Sequence, residues 1–370
     1  MKVLFVIGTR PEAIKLAPVI LECQKKKGIQ ALVCSTGQHK ELLDRAFEQW
    51  SLIPDIELDV MQAGQGLNEL LSKLLSQLDI VLSDAKPDCV VVQGDTSSCL
   101  AGALASFQRK IPVYHVEAGL RTNDKSAPFP EELNRQLVSR IAHVHFAPTE
   151  KNKRTLLREG ISDNDIVVTG NTVIDALIIC QKKMTPESNP EILKLQGIYE
   201  PKKKLLLVTG HRRENIGAGF LELIDALREL ASNPSLQIIY PLHLNPAVRE
   251  PMIQALGKTD GIFLIEALGY EAFIWLMSKS FLIISDSGGV QEEAPSLNKP
   301  VLVLREQTER EEAIEAGTGK LIGTLKEAIV HGVQELIEDE DAYMEMTQKP
   351  NPYGDGMAAK RIVDFLASVE

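Results

Sequence analysis

Short apolar, β-branched runs alternate with amphipathic stretches along the whole chain. The first run, Val3-Leu4-Phe5-Val6-Ile7, ends at Gly8 and is followed by a helical pattern. A run of that length is too short for a helix and is typical of a strand buried in a parallel sheet. Because this unit recurs from end to end, we predict an α/β fold in which helices cover both faces of parallel sheets.

The pattern predicts the same number of strands in each half of the chain. In the first half they lie at 3–7, 31–35, 89–93, 113–116, 145–147 and 166–168. In the second half they lie at 205–209, 237–240, 262–265, 282–285, 301–304 and 320–322. Duplication of one plan predicts two Rossmann-like domains whose parallel sheets face a central cleft.

A polar segment separates the two halves. Residues 182–204 place Pro186, Pro190 and Pro201 among charged and polar side chains, a composition typical of linkers between domains. We therefore predict an N-terminal domain of residues 1–181 and a C-terminal domain of residues 182–356. The amphipathic pattern of 357–370 predicts a closing helix that packs back on the first domain.

Composition and charge narrow the class of protein. The 370-residue chain is 44% hydrophobic and 25% charged, as is typical of soluble globular proteins. We find neither a signal peptide nor a spanning helix in the sequence and expect a cytoplasmic protein. A net charge of -11 argues against a nucleic-acid or anionic-membrane partner. The five cysteines form no Cys-x-x-Cys pair, which predicts buried thiols and no metal site.

One glycine-rich turn stands near each end of the chain. Gly8-Thr9-Arg10 follows the first predicted strand, and Ser287-Gly288-Gly289 follows the strand at 282–285. Each turn opens a helical pattern, so each offers backbone N–H groups and a positive helix end to a phosphate. Two such turns suggest two nucleotide-binding halves that share one ligand. Ordinary strand-to-helix turns have the same appearance, so neither turn alone decides the function.

Acidic residues follow the predicted strands of the first half. Asp95 and Glu117 come directly after two of them, and Glu131 follows after a loop. Because the carboxyl ends of parallel strands open into one crevice, these three acids are expected to converge on one ligand. The alternative for each acid is a helix cap or a solvated loop charge.

The second half supplies cationic and further acidic candidates. His211 follows the strand at 205–209 and precedes two arginines, where it could donate to a phosphate. Glu292 and Glu293 are adjacent on a predicted helix and diverge by about 100°, so only one of them, Glu293, is expected to bind a ribose. The chain lacks the dinucleotide, Walker and nucleophile-elbow patterns.

The chain resembles the non-hydrolysing UDP-N-acetylglucosamine 2-epimerases, enzymes of the two-domain glycosyltransferase-B fold. The segments that carry the resemblance cover most of residues 1 to 317, in order, and include the cluster around His211. The other segments are GTRPEAIK (8–15), TGQH (36–39), QGDT (93–96), HVEAGLRT (115–122), FPEELNR (129–135), VTGNTVID (168–175), HLNP (243–246), SDSGGVQEE (285–293) and TER (308–310). A series of this kind is far more specific than any one of its members.

The resemblance implies a role for each candidate residue. The UDP phosphates would be held by Arg10, His211, Ser287, Gly288 and Gly289, with Arg310 at the diphosphate. The ribose would be bound by Glu293, and Phe273 belongs to the substrate-binding set. The sugar pocket would be lined by Lys15, Asp95, Glu117 and Glu131, of which the three acids, with His211, are the expected catalytic residues. The chain departs from the family pattern at Gln93, Leu268, Gly269 and Glu311.

The resemblance also implies the chemistry. The family inverts C2 without a cofactor by eliminating UDP to a 2-acetamidoglucal and adding it back, which interconverts UDP-GlcNAc and UDP-ManNAc. A homodimer and a place in cell-envelope polysaccharide biosynthesis are implied as well. Three alternatives stay open: a hydrolysing epimerase that releases N-acetylmannosamine and UDP, an epimerase of a modified UDP-sugar, and a glycosyltransferase of the same fold. A catalytically silent sensor is disfavoured, because a binder gains nothing from several acids that face a diphosphate.

Regulated bacterial members bind a second UDP-GlcNAc beside the active site. The corresponding segments of this chain contain Gln38, His39, Arg212 and His243. Two positions differ from the regulated pattern: Glu41 replaces a glutamine and Gly64 replaces an arginine. Glu41 would bring negative charge towards a diphosphate, and Gly64 supplies no cation to offset it.

We therefore predict weak or absent activation by UDP-GlcNAc. The check is the reverse reaction, started from UDP-ManNAc alone and followed from the first seconds. Immediate linear turnover is the expected result. A lag that traces of UDP-GlcNAc abolish would show instead that the second site is retained.

Overall fold

The computed structural model describes residues 1–38, 40–62, 64–210, 218–243 and 245–369. These residues form two compact units, Met1–Ala176 with Tyr353–Glu370 (unit 1) and Leu177–Pro352 (unit 2). Each unit contains one sheet whose strands all run parallel. The predicted α/β class with two parallel sheets is thus confirmed.

Unit 1 is built on a seven-stranded sheet of order β3-β2-β1-β4-β5-β6-β7. Its strands are β1 Lys2–Ile7, β2 Gln30–Ser35, β3 Ile56–Glu57, β4 Cys89–Gln93, β5 Val113–Val116, β6 Val144–Ala147 and β7 Ile166–Val168. The helices are α1 Arg10–Lys25, α2 Lys40–Trp50, α3 Leu67–Ala85, α4 Ser97–Gln108, α5 Glu131–Ile141, α6 Glu150–Arg158 and α7 Thr172–Lys183, the last of which continues into unit 2.

Unit 2 contains a six-stranded sheet of order β10-β9-β8-β11-β12-β13. Its strands are β8 Lys204–Thr209, β9 Leu236–Pro241, β10 Ile262–Ile265, β11 Leu282–Ser285, β12 Val301–Val303 and β13 Gly319–Leu321. The helices are α8 Pro190–Ile198, α9 Ala218–Ala231, α10 Pro246–Leu256, α11 Tyr270–Lys279, α12 Gly288–Glu293, α13 Glu311–Glu315, α14 Lys326–Glu338 and α15 Glu340–Thr347. The chain then returns to unit 1 with α16 Ala358–Ser368.

The central strands are buried on both faces, which explains why they are apolar without alternation. Val3 to Ile7 of β1 are essentially inaccessible to solvent. On α3, Leu70, Leu74 and Leu78 recur every four residues and pack in the same core cluster as β1 and β4. All five cysteines are buried, as predicted.

Two segments differ from the sequence prediction. Strand β3 was not predicted, because it is only two residues long and pairs with β2 alone, Ile56 opposite Cys34 and Glu57 opposite Ser35. The predicted linker contains helix α8, whose Ile192 and Leu195 are buried. The division between unit 1 and unit 2 lies inside α7, between Ala176 and Leu177. The predicted domain boundaries after residues 181 and 356 stay a prediction.

Helix α16 packs against α1 of unit 1. Ile362 and Leu366 bury its apolar face, and the Phe365 ring meets the Phe146 ring edge-on at 5.5 Å. Asp175 of α7 fixes the start of the helix, because its carboxylate accepts hydrogen bonds from Ala358 N at 3.2 Å and Ala359 N at 2.9 Å. Within the described ranges, no helix has both the length and the apolar character that crossing a membrane requires.

Asp175→Ala is expected to lower stability by about 1–3 kcal/mol, because two buried N–H groups lose their acceptor. Burial raises the pKa of Asp175 to about 6. A raised carboxyl pKa gives stability that is present at acidic pH and is lost as pH rises through about 6, so the effect of the substitution should be larger at pH 5 than at pH 8.

Urea unfolding midpoints at the two pH values measure this difference. Asp364→Ala is the matched control, because Asp364 lies on α16 and its ion pairs with Lys26 and Lys360 are exposed. It should change the midpoint little. Equal midpoints for Asp175→Ala and wild type would contradict the assignment.

Candidate active site

The candidate residues of unit 1 lie at the carboxyl edge of its sheet. Strands β1, β4 and β5 are neighbours, and the segments that follow them carry Arg10, Asp95 and Glu117. Arg10 is the first residue of α1, and Glu131 is the first residue of α5. Parallel strands bring their carboxyl ends to one edge, which groups residues that are distant in sequence.

Glu117 stands at the centre of this group. Lys15 Nζ donates to both of its carboxylate oxygens, at 2.6 and 2.7 Å. The Gln93 amide nitrogen also donates to Glu117 Oε2, and Asn171 Nδ2 lies 3.5 Å from Oε1. The Glu117 side chain is only 8% exposed. These donors compensate the charge of the carboxylate in a largely buried position.

The backbone of Glu117 is held in an uncommon conformation. Its φ is +64°, in the left-handed region that favours glycine. Gly119, two residues later, has φ +95°, and a Cβ there would lie 2.5 Å from Asn152 O. Strain at a non-glycine residue persists only where the surroundings enforce it, and it is concentrated at functional sites.

Asp95 has a cationic partner of its own. Arg135 Nη2 donates to Asp95 Oδ2 at 2.5 Å, and Asn134 Nδ2 donates to the Asp95 carbonyl at 2.9 Å. Burial raises the pKa of Asp95, the Arg135 charge opposes this rise, and the charges of Glu117 and Glu131 add to it. Influence of this kind requires short distances, so the three acids predicted from the sequence share one region.

The adjacent glutamates Glu131 and Glu132 have different environments. Glu132 is fully buried and accepts hydrogen bonds from Thr122 N at 2.9 Å and Asn123 N at 3.2 Å. It therefore stabilises the loop that precedes α5. Glu131 is partly exposed and adds its charge to the region around Asp95.

Several residues that contact these acids, or that support the turns which carry them, were assigned no role from the sequence. Arg135 could have been found, because it follows Glu131 by four residues on α5 and so lies on the same helix face. Asn171 and His115 had no such signal. His115 Nε2 donates to the Gly94 carbonyl at 2.8 Å, and burial lowers the His115 pKa to about 3, which keeps the ring neutral.

In unit 2, the second glycine-rich turn joins β11 to α12. Thr209 Oγ1 and Ser285 Oγ are hydrogen-bonded at 2.6 Å, and Ser287 N donates to Ser285 Oγ at 3.0 Å. Ser287 is the N-cap residue of α12, which begins at Gly288 and continues through Gly289. The turn thus has the strand-to-helix form expected from the sequence.

Arg310 lies directly against this turn. A Cβ at Gly288 would be 2.9 Å from Arg310 Cζ, so a side chain at this position would displace the guanidinium from where it lies. Arg310 Nε donates to Glu292 Oε1 at 3.0 Å, and Nη1 donates to Glu309 Oε1 at 2.7 Å. Two carboxylates therefore fix the guanidinium beside the backbone at the start of α12.

Glu292 and Glu293 diverge, as predicted. Glu292 pairs with Arg310, whereas Glu293 Oε1 accepts a hydrogen bond from the Tyr270 hydroxyl at 2.6 Å. Tyr270 and Phe273 belong to α11 and are three residues apart, so they share a face of that helix. The sequence carried no signal for Tyr270.

The remaining candidates divide into two groups. Gln38 accepts a hydrogen bond from Ser98 Oγ at 2.8 Å, the exposed His243 accepts from Asn245 N at 3.1 Å, and Gly64 occupies an exposed turn. Outside the described residues lie His39, His211 and Arg212, together with the side chain of Glu41.

Comparison with known proteins gives a consistent result. The family model described as UDP-N-acetylglucosamine 2-epimerase matches residues 21–367. The chain is 51% identical to the UDP-N-acetylglucosamine 2-epimerase of Salmonella typhimurium, over 100% of this chain and 99% of that protein. It is 49% identical to the enzyme of Escherichia coli K12, over 99% of this chain and 98% of that protein.

Solved structures agree. The crystal structure of UDP-GlcNAc 2-epimerase from Neisseria meningitidis, bound to UDP-GlcNAc, superimposes with a TM-score of 0.93 at 48% identity and covers 100% of both chains. The Methanocaldococcus jannaschii enzyme, in complex with UDP-GlcNAc and UDP, gives 0.83 at 36% identity, again over 100% of both chains. The glycosyltransferase-B type of fold expected from the sequence is confirmed, and the chain belongs to the UDP-N-acetylglucosamine 2-epimerase family of isomerases.

Proposed function

We propose that the chain interconverts UDP-GlcNAc and UDP-ManNAc by elimination and re-addition of UDP. The observation that carries this proposal is the pair of carboxyl groups at one sheet edge, Glu117 and Asp95. Lys15 holds Glu117, Arg135 holds Asp95, and the two acids lie in different electrostatic surroundings. Inversion at a carbon centre needs two such groups, because a proton leaves from one face and returns to the other.

The elimination step needs no cofactor, because the bonds broken and formed account for every proton and electron pair. One carboxylate takes the C2 proton, the C1–O bond breaks with its electron pair leaving on the diphosphate, and a C1–C2 double bond forms. In the return step the other carboxyl group protonates C2 from the opposite face, and the UDP oxygen attacks C1. Because the reaction is reversible, each acid serves as base in one direction and as acid in the other.

Unit 1 supplies the groups for proton transfer. Asp95 holds a proton more readily than an ordinary aspartate, since burial and the charges of Glu117 and Glu131 raise its pKa. Glu117 is paired with Lys15, whose charge compensates its carboxylate. Glu131 completes the acidic set, and Arg10 at the start of α1 is assigned to the phosphates.

Unit 2 supplies the groups for the nucleotide. Ser287, Gly288 and Gly289 present the start of α12, and the fixed Arg310 guanidinium stands beside them, as binding of a departing diphosphate requires. Glu293 is assigned to the ribose. We further assign Phe273 to substrate binding and His211 to the leaving phosphate, the latter on the family resemblance alone.

The location and assembly of the protein extend the proposal. We place it in the cytoplasm, in cell-envelope polysaccharide biosynthesis, on the family resemblance. A homodimer would cover the apolar side chains that α3, α4 and α5 expose. Ile80 is 62% exposed, Phe107 is 56% exposed, and these helices pack side by side in unit 1.

Turnover in deuterated water should place deuterium at C2 of the nucleotide sugar, because elimination must break the C2–H bond. Purified protein is incubated with UDP-GlcNAc alone and followed by proton NMR. The same spectra separate the alternatives: a hydrolysing epimerase releases free sugar and UDP, and a glycosyltransferase without an acceptor leaves the nucleotide unchanged. Epimerised product with only protium at C2 would rule out solvent exchange during turnover.

Asp95→Asn, Glu117→Gln and Glu131→Gln should each lower kcat by about 10² or more, because each removes a carboxyl group assigned to proton transfer. Glu150→Gln is the control: Glu150 also begins a helix after a strand of the same sheet, but it is exposed. It should retain wild-type kcat. Normal rates in all three variants would place the chemistry elsewhere.

A further inference from the structure

A buried acid with no role in the proposed chemistry lies next to the turn that joins β1 to α1. Glu12, on the first turn of α1, is 1% exposed. Its Oε2 accepts hydrogen bonds from Gly8 N at 3.0 Å and from Thr9 Oγ1 at 2.8 Å. Its Oε1 accepts from Thr96 Oγ1 at 2.7 Å, 84 residues further along the chain. The carboxylate therefore joins two turns with its two oxygens.

Helix capping explains only half of this arrangement. A glutamate at the third helical position commonly reaches back to the backbone just before the helix, as Oε2 does here. Such a cap works equally well on the protein surface, whereas burial raises the pKa of Glu12 to about 7. Burying an acid costs free energy. This cost is consistent with a separate function for the second carboxylate oxygen, Oε1, which is hydrogen-bonded to Thr96.

The position of Thr96 places this function of Glu12 Oε1 at the candidate active site. It is the N-cap residue of α4, where its Oγ1 accepts from Cys99 N at 3.0 Å while donating to Glu12. It directly follows Asp95. On the other side of the bridge, Gly8 and Thr9 directly precede Arg10. The Glu12 carboxylate thus connects the turn of the phosphate-binding residue to the turn of the proton-transfer residue.

The two turns are also in direct contact, so small displacements are not absorbed. A Cβ at Gly8 would overlap the Ser98 hydroxyl and approach Thr36 Oγ1 to 2.7 Å. Ser98 Oγ and Thr36 Oγ1 are themselves hydrogen-bonded at 2.8 Å. Tight packing of this kind transmits a shift of one turn to the other.

We propose that Glu12 is a positioning residue that sets the placement of Asp95 relative to Arg10 by bonding their two turns to one carboxylate. The proposal rests on the proposed epimerase function, in which Asp95 transfers a proton and Arg10 contacts the phosphates. A displacement of about 1 Å at a reacting group can cost about 10² in rate. Loss of the bridge should therefore act on kcat more than on folding.

The test compares substitutions at both ends of the bridge in the full-length protein. Glu12→Ala removes it, whereas Glu12→Gln keeps an acceptor for Gly8 and a donor for Thr96 without the charge. Thr96→Val removes the far end, and Thr96→Ser restores the hydroxyl. We expect kcat and C2 deuterium exchange to fall by about 10² in Glu12→Ala and Thr96→Val. Glu12→Gln and Thr96→Ser should retain most of both rates.

A second measurement separates positioning from general damage. Thr96→Val keeps the contacts of Glu12 with Gly8 and Thr9, next to Arg10, so its dissociation constant for UDP, measured by calorimetry, should stay close to that of wild type. Asp175→Ala is the matched control, because Asp175 is also a buried acid that caps a helix of unit 1. It should lower the thermal midpoint while leaving kcat unchanged below that temperature.

The outcomes are distinguishable from failure of the proposed function. If wild type shows no C2 exchange, the epimerase chemistry itself is wrong. If wild type exchanges and Glu12→Ala matches it, or if Glu12→Gln is as impaired as Glu12→Ala, the positioning role is overturned. Should Glu12→Ala fail to fold, the Thr96→Val and Thr96→Ser pair decides by the same criteria.

Discussion

The contact between Lys15 and Glu117 is the interaction on which the arrangement of unit 1 depends. A largely buried carboxylate is stable only when its charge is compensated, and here one ammonium group reaches both oxygens. The same contact helps to hold a residue whose backbone is left-handed. Because the two partners are 102 residues apart, the pair also fixes α1 against the end of β5. Removing either partner would take away a close counter-charge from a largely buried group.

Unit 2 also holds a charged group in a fixed position, the Arg310 guanidinium, and places small residues beside it. Its glycine-rich turn admits the Arg310 guanidinium because position 288 has no side chain. Glu292 and Glu309 hold that guanidinium, so its direction is set before any anion arrives. Such preorganisation is effective because no reorientation is needed when charge develops on a leaving group. In both units, charged side chains are paired within the protein in a geometry that suits a polar ligand.

Much of the fold was readable from the sequence because buried parallel strands are continuously apolar. The strands of both sheets were predicted to within one or two residues, except for the short edge strand Ile56–Glu57. The grouping of Asp95, Glu117 and Glu131 was predictable from the sequence, because the carboxyl ends of parallel strands converge. Their partners were not: whether Lys15 or another cation meets Glu117, and whether Tyr270 meets Glu293, depends on packing between distant segments. Periodicity reports only which face a residue occupies, not what it meets there.

The return of the chain to unit 1 also bears on its biosynthesis. Helix α16, the last element, covers α1, the first helix, and its start is fixed by Asp175 of α7. During translation, residues 1–176 emerge well before Ala358–Ser368. The nascent first unit therefore waits, with the apolar surface of α1 uncovered, while the whole of unit 2 is made. Until α16 is made, that surface is open to aggregation, and premature termination after unit 2 would leave it permanently exposed.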